Sequence, residues 1–118
     1  MKYKDDFIKR ALNFSVGIIK FTETLPNKRQ FWIIADQLIR SSCSVGANMK
    51  EANSASSRKD YINFYSYALK SANEAVYWLD LLQELLGNSA IDRLIVEANE
   101  LAKILAASII TMKKSQSK

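Results

Sequence analysis

The chain has 118 residues, 48% of them hydrophobic, and carries a net charge of +5. One Pro and three Gly favour long helices over a β-sandwich with frequent turns, and the length indicates a single domain over residues 1–118. There is no His and only one Cys, which excludes the usual zinc sites, Ser–His and Cys–His nucleophile pairs, and the Glu-x-x-His sites of di-iron bundles. We therefore predict no enzyme activity, no metal and no cofactor.

The first two helices are predicted from apolar residues that recur at alternating steps of four and three. They cover residues 4–24 and 27–55. Pro26 separates them, and Asn27 and Gln30 have the spacing of a helix N-cap pair. The stripes are Phe7, Ala11, Phe14, Ile18, Phe21 and Leu25, then Phe31, Ala35, Leu38, Ser42, Val45, Met49 and Ala52.

The third helix has the clearest pattern and is predicted over residues 58–86. Ser57 and Asp60 are spaced as a capping box at its start, and Gly87 supplies a stop at its end. Its stripe is Tyr61, Tyr65, Ala68, Ala72, Ala75, Leu79, Leu82 and Leu86.

The fourth helix is predicted over residues 90–113, with Ser89 and Asp92 as its capping pair. Its stripe is Ile91, Leu94, Ala98, Leu101, Leu105, Ser108 and Met112. All three connections are short, which makes neighbouring helices antiparallel. The sequence therefore predicts an all-α fold, an antiparallel up-down-up-down four-helix bundle.

Three features of the sequence predict the cellular compartment: the N-terminal residues, the length of its apolar runs and its single cysteine. The first residues, "MKYKDDFIKRALNF", mix charges with apolar groups and do not form a signal peptide. No apolar run approaches the ~20 residues of a membrane span. Cys43 cannot form an intrachain disulfide, and we interpret it as a small buried hydrophobe rather than a reactive thiol. We predict a cytoplasmic protein.

Small polar residues crowd the segment "RSSCSVGANMK", which begins at Arg40. Such residues let helix backbones approach closely, so we predict that this segment packs on the third helix. Glu74 lies among aromatic residues of that helix, where a carboxylate needs a hydrogen-bonding partner. The predicted polar network consists of Arg40, Ser44, Asn48, Ser71 and Glu74. The alternative is that Glu74 points to water. Glu51, Asp60 and Glu74 also leave carboxylate-only catalysis open, although caps and a solvated face explain them better.

The stretch "DQLIRSSCSVGANMKEANSASSRKDYINFYSYALKSANEAVYWLDLL" resembles the bacterial four-helix-bundle family of the 23S rRNA intervening-sequence proteins. The match covers the second and third helices in detail and the whole chain in length and helix layout. Where the family often has Glu-Gly, Glu51 is followed here by Ala52. The matching residues are Arg40, Ser41, Ser42, Ser44, Val45, Asn48, Glu51, Lys59, Asp60, Tyr61, Ser71 and Glu74.

The resemblance implies an oligomer and a nucleic-acid role. Some family members are encoded inside insertions in 23S rRNA genes. A similar bundle, the accessory variability protein of diversity-generating retroelements, forms a basic pentameric barrel that binds nucleic acid and a reverse transcriptase. The resemblance thus suggests a homopentamer for this bacterial chain, whereas most free-standing members have no established activity.

Apolar residues outside the main stripes indicate where subunits would meet. Long helices in a thin bundle have such residues to spare, and clusters of them suggest an interface. The candidates are Trp32, Ile34 and Ile39 on the second helix and Trp78, Leu81 and Leu85 on the third.

Basic residues concentrate at one end of the predicted bundle, where the first helix begins, the second meets the third and the fourth ends. This end holds ten basic and four acidic residues, against seven and eight in the remainder. Tyr3 and Tyr61 lie near it as possible stacking surfaces, although packing explains them equally well. The candidate nucleic-acid-binding residues are Lys2, Lys4, Lys9, Arg10, Lys50, Arg58, Lys59, Lys113 and Lys114, with Lys118 in the tail.

Two functions remain open from the sequence. The first is a non-catalytic oligomer that associates with nucleic acid, RNA above all, through the basic end. The second is a scaffold for another protein, with no nucleic-acid role. Membrane binding ranks below both, because the basic residues do not line one face opposite a bulky apolar face.

Overall fold

Four helices make up the chain in the computed structural model, which describes residues 2–116 and the side chains of residues 4–115. They are α1 (Lys2–Thr22), α2 (Arg29–Ala52), α3 (Arg58–Leu86) and α4 (Ser89–Gln116). The described residues contain no strand. The predicted all-α class is therefore confirmed.

The helices form an elongated bundle of 51 × 23 × 21 Å. Each helix packs against its neighbour in sequence, while α1 and α4 contact each other least. This is the antiparallel four-helix bundle that the sequence predicted. We call one end the basic end; it holds the start of α1, the α2–α3 connection and the end of α4. The far end holds the other two connections.

Two of the helix ends use the predicted residues. The Ser57 hydroxyl accepts a hydrogen bond from the backbone N–H of Asp60 at 3.0 Å, which caps the start of α3. Asp60 in turn accepts from the backbone N–H of Ser56 at 3.2 Å, one residue earlier than a capping box would have it. Gly87 ends α3 with φ 63°, in the left-handed region that glycine adopts without strain.

The two other predicted capping pairs are wrong. Lys28 occupies the N-cap of α2 without a side-chain hydrogen bond, and the Asn27 side chain accepts from the Trp32 indole at 3.0 Å instead. At the start of α4, the Asn88 side chain accepts from the backbone N–H of Ile91 at 3.0 Å. Asn88 therefore takes the capping role predicted for Ser89, since an Asn is an equally good cap one residue earlier.

The buried side chains form two clusters along the bundle. The far-end core consists of Phe14, Ile18, Phe21, Phe31, Ile34, Leu38, Ala75, Leu79, Leu82, Ile91, Ala98 and Leu101. The basic-end core consists of Ala11, Val45, Met49, Ala52, Ile62, Tyr65, Ala68, Ala72, Ala102, Leu105 and Ile109. Candidate functional residues lie around the second of these cores.

Candidate nucleic-acid interface

Three separate segments of the chain meet at the basic end. The Lys4 ammonium lies 4.6 Å from the ring centre of Tyr61, which joins the start of α1 to the start of α3. Lys4 and Met112 line the same cleft, which adds the end of α4. Ile8 and Lys50 line another groove, which brings in the end of α2. The chain thus gathers its scattered basic residues at one end.

Seven of the candidate basic side chains that the structure describes are exposed there. Four of them are Lys9, Lys50, Arg58 and Lys59. No other described residue forms an ion pair with any of these four. Arg58 and Lys59 occupy the first turn of α3. A helix N-terminus carries partial positive charge of its own, so this turn is the most favourable position for a phosphate at the basic end.

Arg10 differs from the other candidates because it is paired. Its guanidinium donates two hydrogen bonds to the Glu97 carboxylate, at 2.7 and 2.8 Å, and so links α1 to α4. The hydrogen bond to Glu97 raises the pKa of Arg10 above its usual value. A phosphate would have to displace this carboxylate. The structure therefore makes Arg10 a structural residue rather than a ready phosphate ligand. No pattern in the sequence pointed to Glu97 as its partner.

The remaining basic candidates lie near the two ends of the chain. Lys113 and Lys114 are exposed at the end of α4 and have interactions of their own. The side chains of Lys2 and Tyr3 lie outside the described residues, as does Lys118.

Two tyrosines stack beside the basic end. The rings of Tyr61 and Tyr65 are 5.0 Å apart and 20° from parallel, and the Tyr61 hydroxyl donates to the Tyr65 hydroxyl at 3.4 Å. Burial is the main cause that raises the pKa of Tyr65 well above its usual value, and the neighbouring Tyr61 acts in the same direction. The Tyr61 ring already contacts both Tyr65 and Lys4, so it offers no open face for the base stacking suggested from the sequence.

A cleft of about 490 Å³ opens beside these tyrosines, between α1, α3 and α4. Of the neighbouring helices, α1 and α4 contact each other least, and the cleft lies between them and α3. The lining residues are Lys4, Phe7, Tyr61, Tyr65, Ile104, Ala107, Ser108, Thr111 and Met112.

The predicted network around Glu74 has different partners in the structure. Glu74 is exposed and accepts a hydrogen bond from the Trp78 indole at 3.1 Å, one turn along α3. Asn48 donates to the Ser44 carbonyl at 2.8 Å, and the Ser44 hydroxyl donates to the Arg40 carbonyl at 2.9 Å. These bonds stay within single helices. Water, an indole and local carbonyls satisfy the polar groups, so no bond between α2 and α3 is needed.

The small residues of α2 instead approach α1. The Ser15 hydroxyl of α1 donates to the Ser42 carbonyl at 3.1 Å, and both serines are buried. A Cβ built on Gly46 would lie 3.4 Å from the Cβ of Ala11, which is close contact between the two helices. Cys43 is partly exposed on this side rather than buried, in the groove that contains Lys50. The stretch thus contacts α1, a helix partner that was not predicted, while its Val45 and Met49 share the basic-end core with residues of α3.

The candidate interface residues differ in exposure. Trp32 and Leu85 are exposed, by 58% and 53%. Ile39, Trp78 and Leu81 are partly buried against the far-end core, and Ile34 belongs to that core.

A further apolar stripe was missed in the sequence. Leu12, Val16 and Ile19 are exposed along one side of α1. Their spacing of four and three residues, offset from the main stripe, was the signal that could have found them.

Comparison with known proteins gives the family. A family model described as the 23S rRNA-intervening sequence protein matches residues 4–107. The chain belongs to this family. A solved structure from Bacteroides thetaiotaomicron, described as a protein with unknown function from the S23 ribosomal protein family, is 34% identical to the chain and has a TM-score of 0.80. The match covers 87% of this chain and 97% of that one. Comparison with curated proteins found no match.

These findings confirm the family resemblance seen in the motifs of α2 and α3, and neither description names a reaction. Within residues 2–116, no helix has an apolar stretch that could cross a bilayer. The described side chains do not bring together three His, Cys, Asp or Glu residues that could hold a metal ion.

Proposed function

We propose that this member of the 23S rRNA-intervening sequence protein family is a non-catalytic, cytoplasmic oligomer that associates with RNA through its basic end. The observation that supports this most directly is the exposure of Lys9, Lys50, Arg58 and Lys59 at one end of the bundle. Exposed cations bind a polyanion by releasing its counterions, which gives affinity without sequence preference. The family name itself refers to 23S rRNA, which makes RNA the first polyanion to test.

The test compares charge reversals at the two ends of the bundle. R58E/K59E changes the first turn of α3 at the basic end, and K28E/R29E changes the start of α2 at the far end. Both pairs lie at helix N-termini, where the added carboxylates interact favourably with the helix dipole, so neither double variant should unfold the chain. Thermal melting of both variants verifies this.

The measurement is fluorescence anisotropy of a labelled single-stranded RNA against salt concentration. For R58E/K59E we expect binding to be lost at about 50 mM salt, or the slope of log affinity against log salt to fall by about two. K28E/R29E should bind as the unmodified protein does. Equal losses from both pairs, or no binding by the unmodified protein at low salt, would contradict RNA association.

We also propose that the subunits assemble into a closed ring, with five as the expected number from the similarity to the accessory variability protein. Exposed apolar residues on three helices support assembly, among them Leu12 on α1, Trp32 on α2 and Leu85 on α3. Light scattering should give about five times the monomer mass of 13.4 kDa. A mass near 13.4 kDa at micromolar concentration would contradict assembly.

The alternative function is a scaffold for another protein. The stripe of Leu12, Val16 and Ile19 favours it, because it is apolar, exposed and not among the residues first predicted to join subunits. The variant L12E/V16E distinguishes subunit assembly through this stripe from a scaffold role. If the stripe joins subunits, this variant loses the assembled mass. If the variant keeps that mass, while the unmodified protein fails to bind RNA, the scaffold becomes the better explanation.

A further inference from the structure

The cleft at the basic end goes beyond the proposed RNA role. We propose that it binds a small apolar molecule carrying a terminal carboxylate, such as a medium-chain fatty acid. Its volume of about 490 Å³ lies within the range of roughly 300–1,000 Å³ that small-molecule sites have. The proposal depends on three properties of the cleft, namely its walls, its charge and its position in the bundle.

The walls are mostly apolar. Phe7 contributes from α1, Ile104 and Met112 contribute from α4, and the stacked tyrosines form the side provided by α3. Some of the polar wall groups are already hydrogen-bonded within the protein. The Ser108 hydroxyl, for example, donates to the Ile104 carbonyl of its own helix at 2.9 Å. An alkyl chain would therefore replace water against hydrocarbon, which is favourable in proportion to the area covered.

The polar groups that remain favour an anion. The Lys4 ammonium lies over the exposed side of the Tyr61 ring at 4.6 Å. A cation–π contact of this kind is weaker than a charge-assisted hydrogen bond to a carboxylate, so Lys4 can turn to a ligand. The Tyr61 and Tyr65 hydroxyls share one hydrogen bond, which leaves one of the two O–H groups to donate to a ligand. None of the described residues that line the cleft carries a carboxylate, and Asp6 lies in the adjoining groove beside Arg10.

The position of the cleft allows the alkyl chain of a ligand to enter. α1 and α4 contact each other least of the neighbouring helices, and the Arg10–Glu97 ion pair lies across the same two helices. The entrance therefore lies between two helices that can separate slightly without breaking the α2–α3 contact.

The test uses three eight-carbon probes that differ only in their end group: octanoate, octanol and octylamine. Methyl NMR signals of Ile104 and Met112 report on the cleft, and those of the exposed Ile33 and Val96 report on other surfaces. We expect octanoate to shift the first pair in a saturable way, with a dissociation constant of about 0.1–1 mM, and to bind more tightly than octanol, with octylamine weakest. Saturable shifts confined to Ile33 or Val96, or equal affinity for octanoate and octylamine, would overturn the proposal.

Variants at exposed positions distinguish the contribution of the Lys4 charge to binding from that of the apolar walls of the cleft. K4M should weaken octanoate binding about tenfold, the loss expected for one hydrogen bond to a charged group, and leave octanol nearly unchanged. A107W fills the cleft from its exposed rim and should weaken both probes. K28M, at the far end, is the matched control and should change neither. Unchanged octanoate binding by K4M and A107W, with both variants folded by circular dichroism, would overturn the proposal.

Discussion

The two ends of the bundle are built from side chains of different size. Of the twelve buried residues in the far-end core, two are alanines, and the rest are mostly Phe, Leu and Ile. Of the eleven in the basic-end core, five are alanines. Large side chains fill the space between four helices completely, whereas small ones allow two helices to approach closely and leave space beside a third. The first arrangement gives stability and the second gives surface for function.

The connections differ in the same way. At the far end, the Gln83 amide donates to the Asn88 carbonyl at 3.0 Å and to the Asp92 carboxylate, while the Asn88 backbone N–H donates back to Gln83 at 2.8 Å. These bonds tie α3 to α4. Between α1 and α4, the described side chains form the partly exposed ion pair Arg10–Glu97. Sites that bind ligands are commonly found in the less tightly held part of a domain.

The largest expected difference between the two ends concerns removal of a core leucine. Leu79 in the far-end core and Leu105 in the basic-end core are both fully buried. Replacing either with Ala should cost about 2–5 kcal/mol of unfolding free energy, depending on how far the neighbours close the cavity. We expect L79A to lie near the upper limit, since large rigid neighbours surround it. L105A should lie near the lower limit, since α4 can shift towards the cleft.

Urea denaturation of the two variants and the unmodified chain measures both costs. The two substitutions remove the same atoms, so the difference between them reports on packing and not on the chemistry of the side chain. A larger loss from L105A than from L79A would contradict the comparison of the two cores.

A second pair of substitutions compares the closed and open sides of α1. Ser42 is fully buried against α1, and Ser108 lines the cleft between α1 and α4. S42L should lower stability by about 1–3 kcal/mol, because extra atoms must force the helices apart. S108L should leave stability unchanged or raise it by about 1 kcal/mol, as cavity-filling changes do. Thermal melting of the two variants measures the difference, and equal destabilisation would mean that the cleft is not an open space in solution.

The sequence predicts well whatever depends on nearby residues. The apolar periodicity of each helix, the glycine that ends α3 and the Ser57 cap are encoded within a few positions of one another, and the structure has them all. The family was also readable from α2 and α3, because its motifs lie on two adjacent helices. The cap prediction was wrong where two neighbouring residues can both act as the N-cap, as Asn88 and Ser89 can. Local spacing alone does not choose between them.

Contacts between distant residues could not be predicted in this way. Arg10 and Glu97 are separated by 87 positions, and nothing near either residue indicates the other. Glu74 was assigned to the wrong partners because its exposure depends on how α3 turns in the bundle, not on its neighbours in sequence. The cleft is lined by residues of α1, α3 and α4, so it depends on the assembled fold.

The smallest predicted effect is a difference in stability at alkaline pH, which depends on the one tyrosine among the buried residues of the two cores. Burial raises the pKa of Tyr65 above the ordinary value of 10.0. Below pH 10 both the folded and unfolded chains keep the phenol proton, so this residue contributes no pH dependence. Above pH 10 the unfolded chain loses the proton first, and stability therefore falls as the pH rises.

In Y65F the melting temperature should fall less between pH 9 and pH 11 than in the unmodified chain, because the group that titrates in the unfolded state is absent. Y77F, on the exposed surface of α3, is the matched control and should keep the unmodified slope. The slope is the informative quantity, since Y65F also removes the hydrogen bond from Tyr61 and so lowers stability at every pH. If Y65F and Y77F have the same slope, Tyr65 is not buried in solution, and the stacked wall of the cleft would have to be described differently.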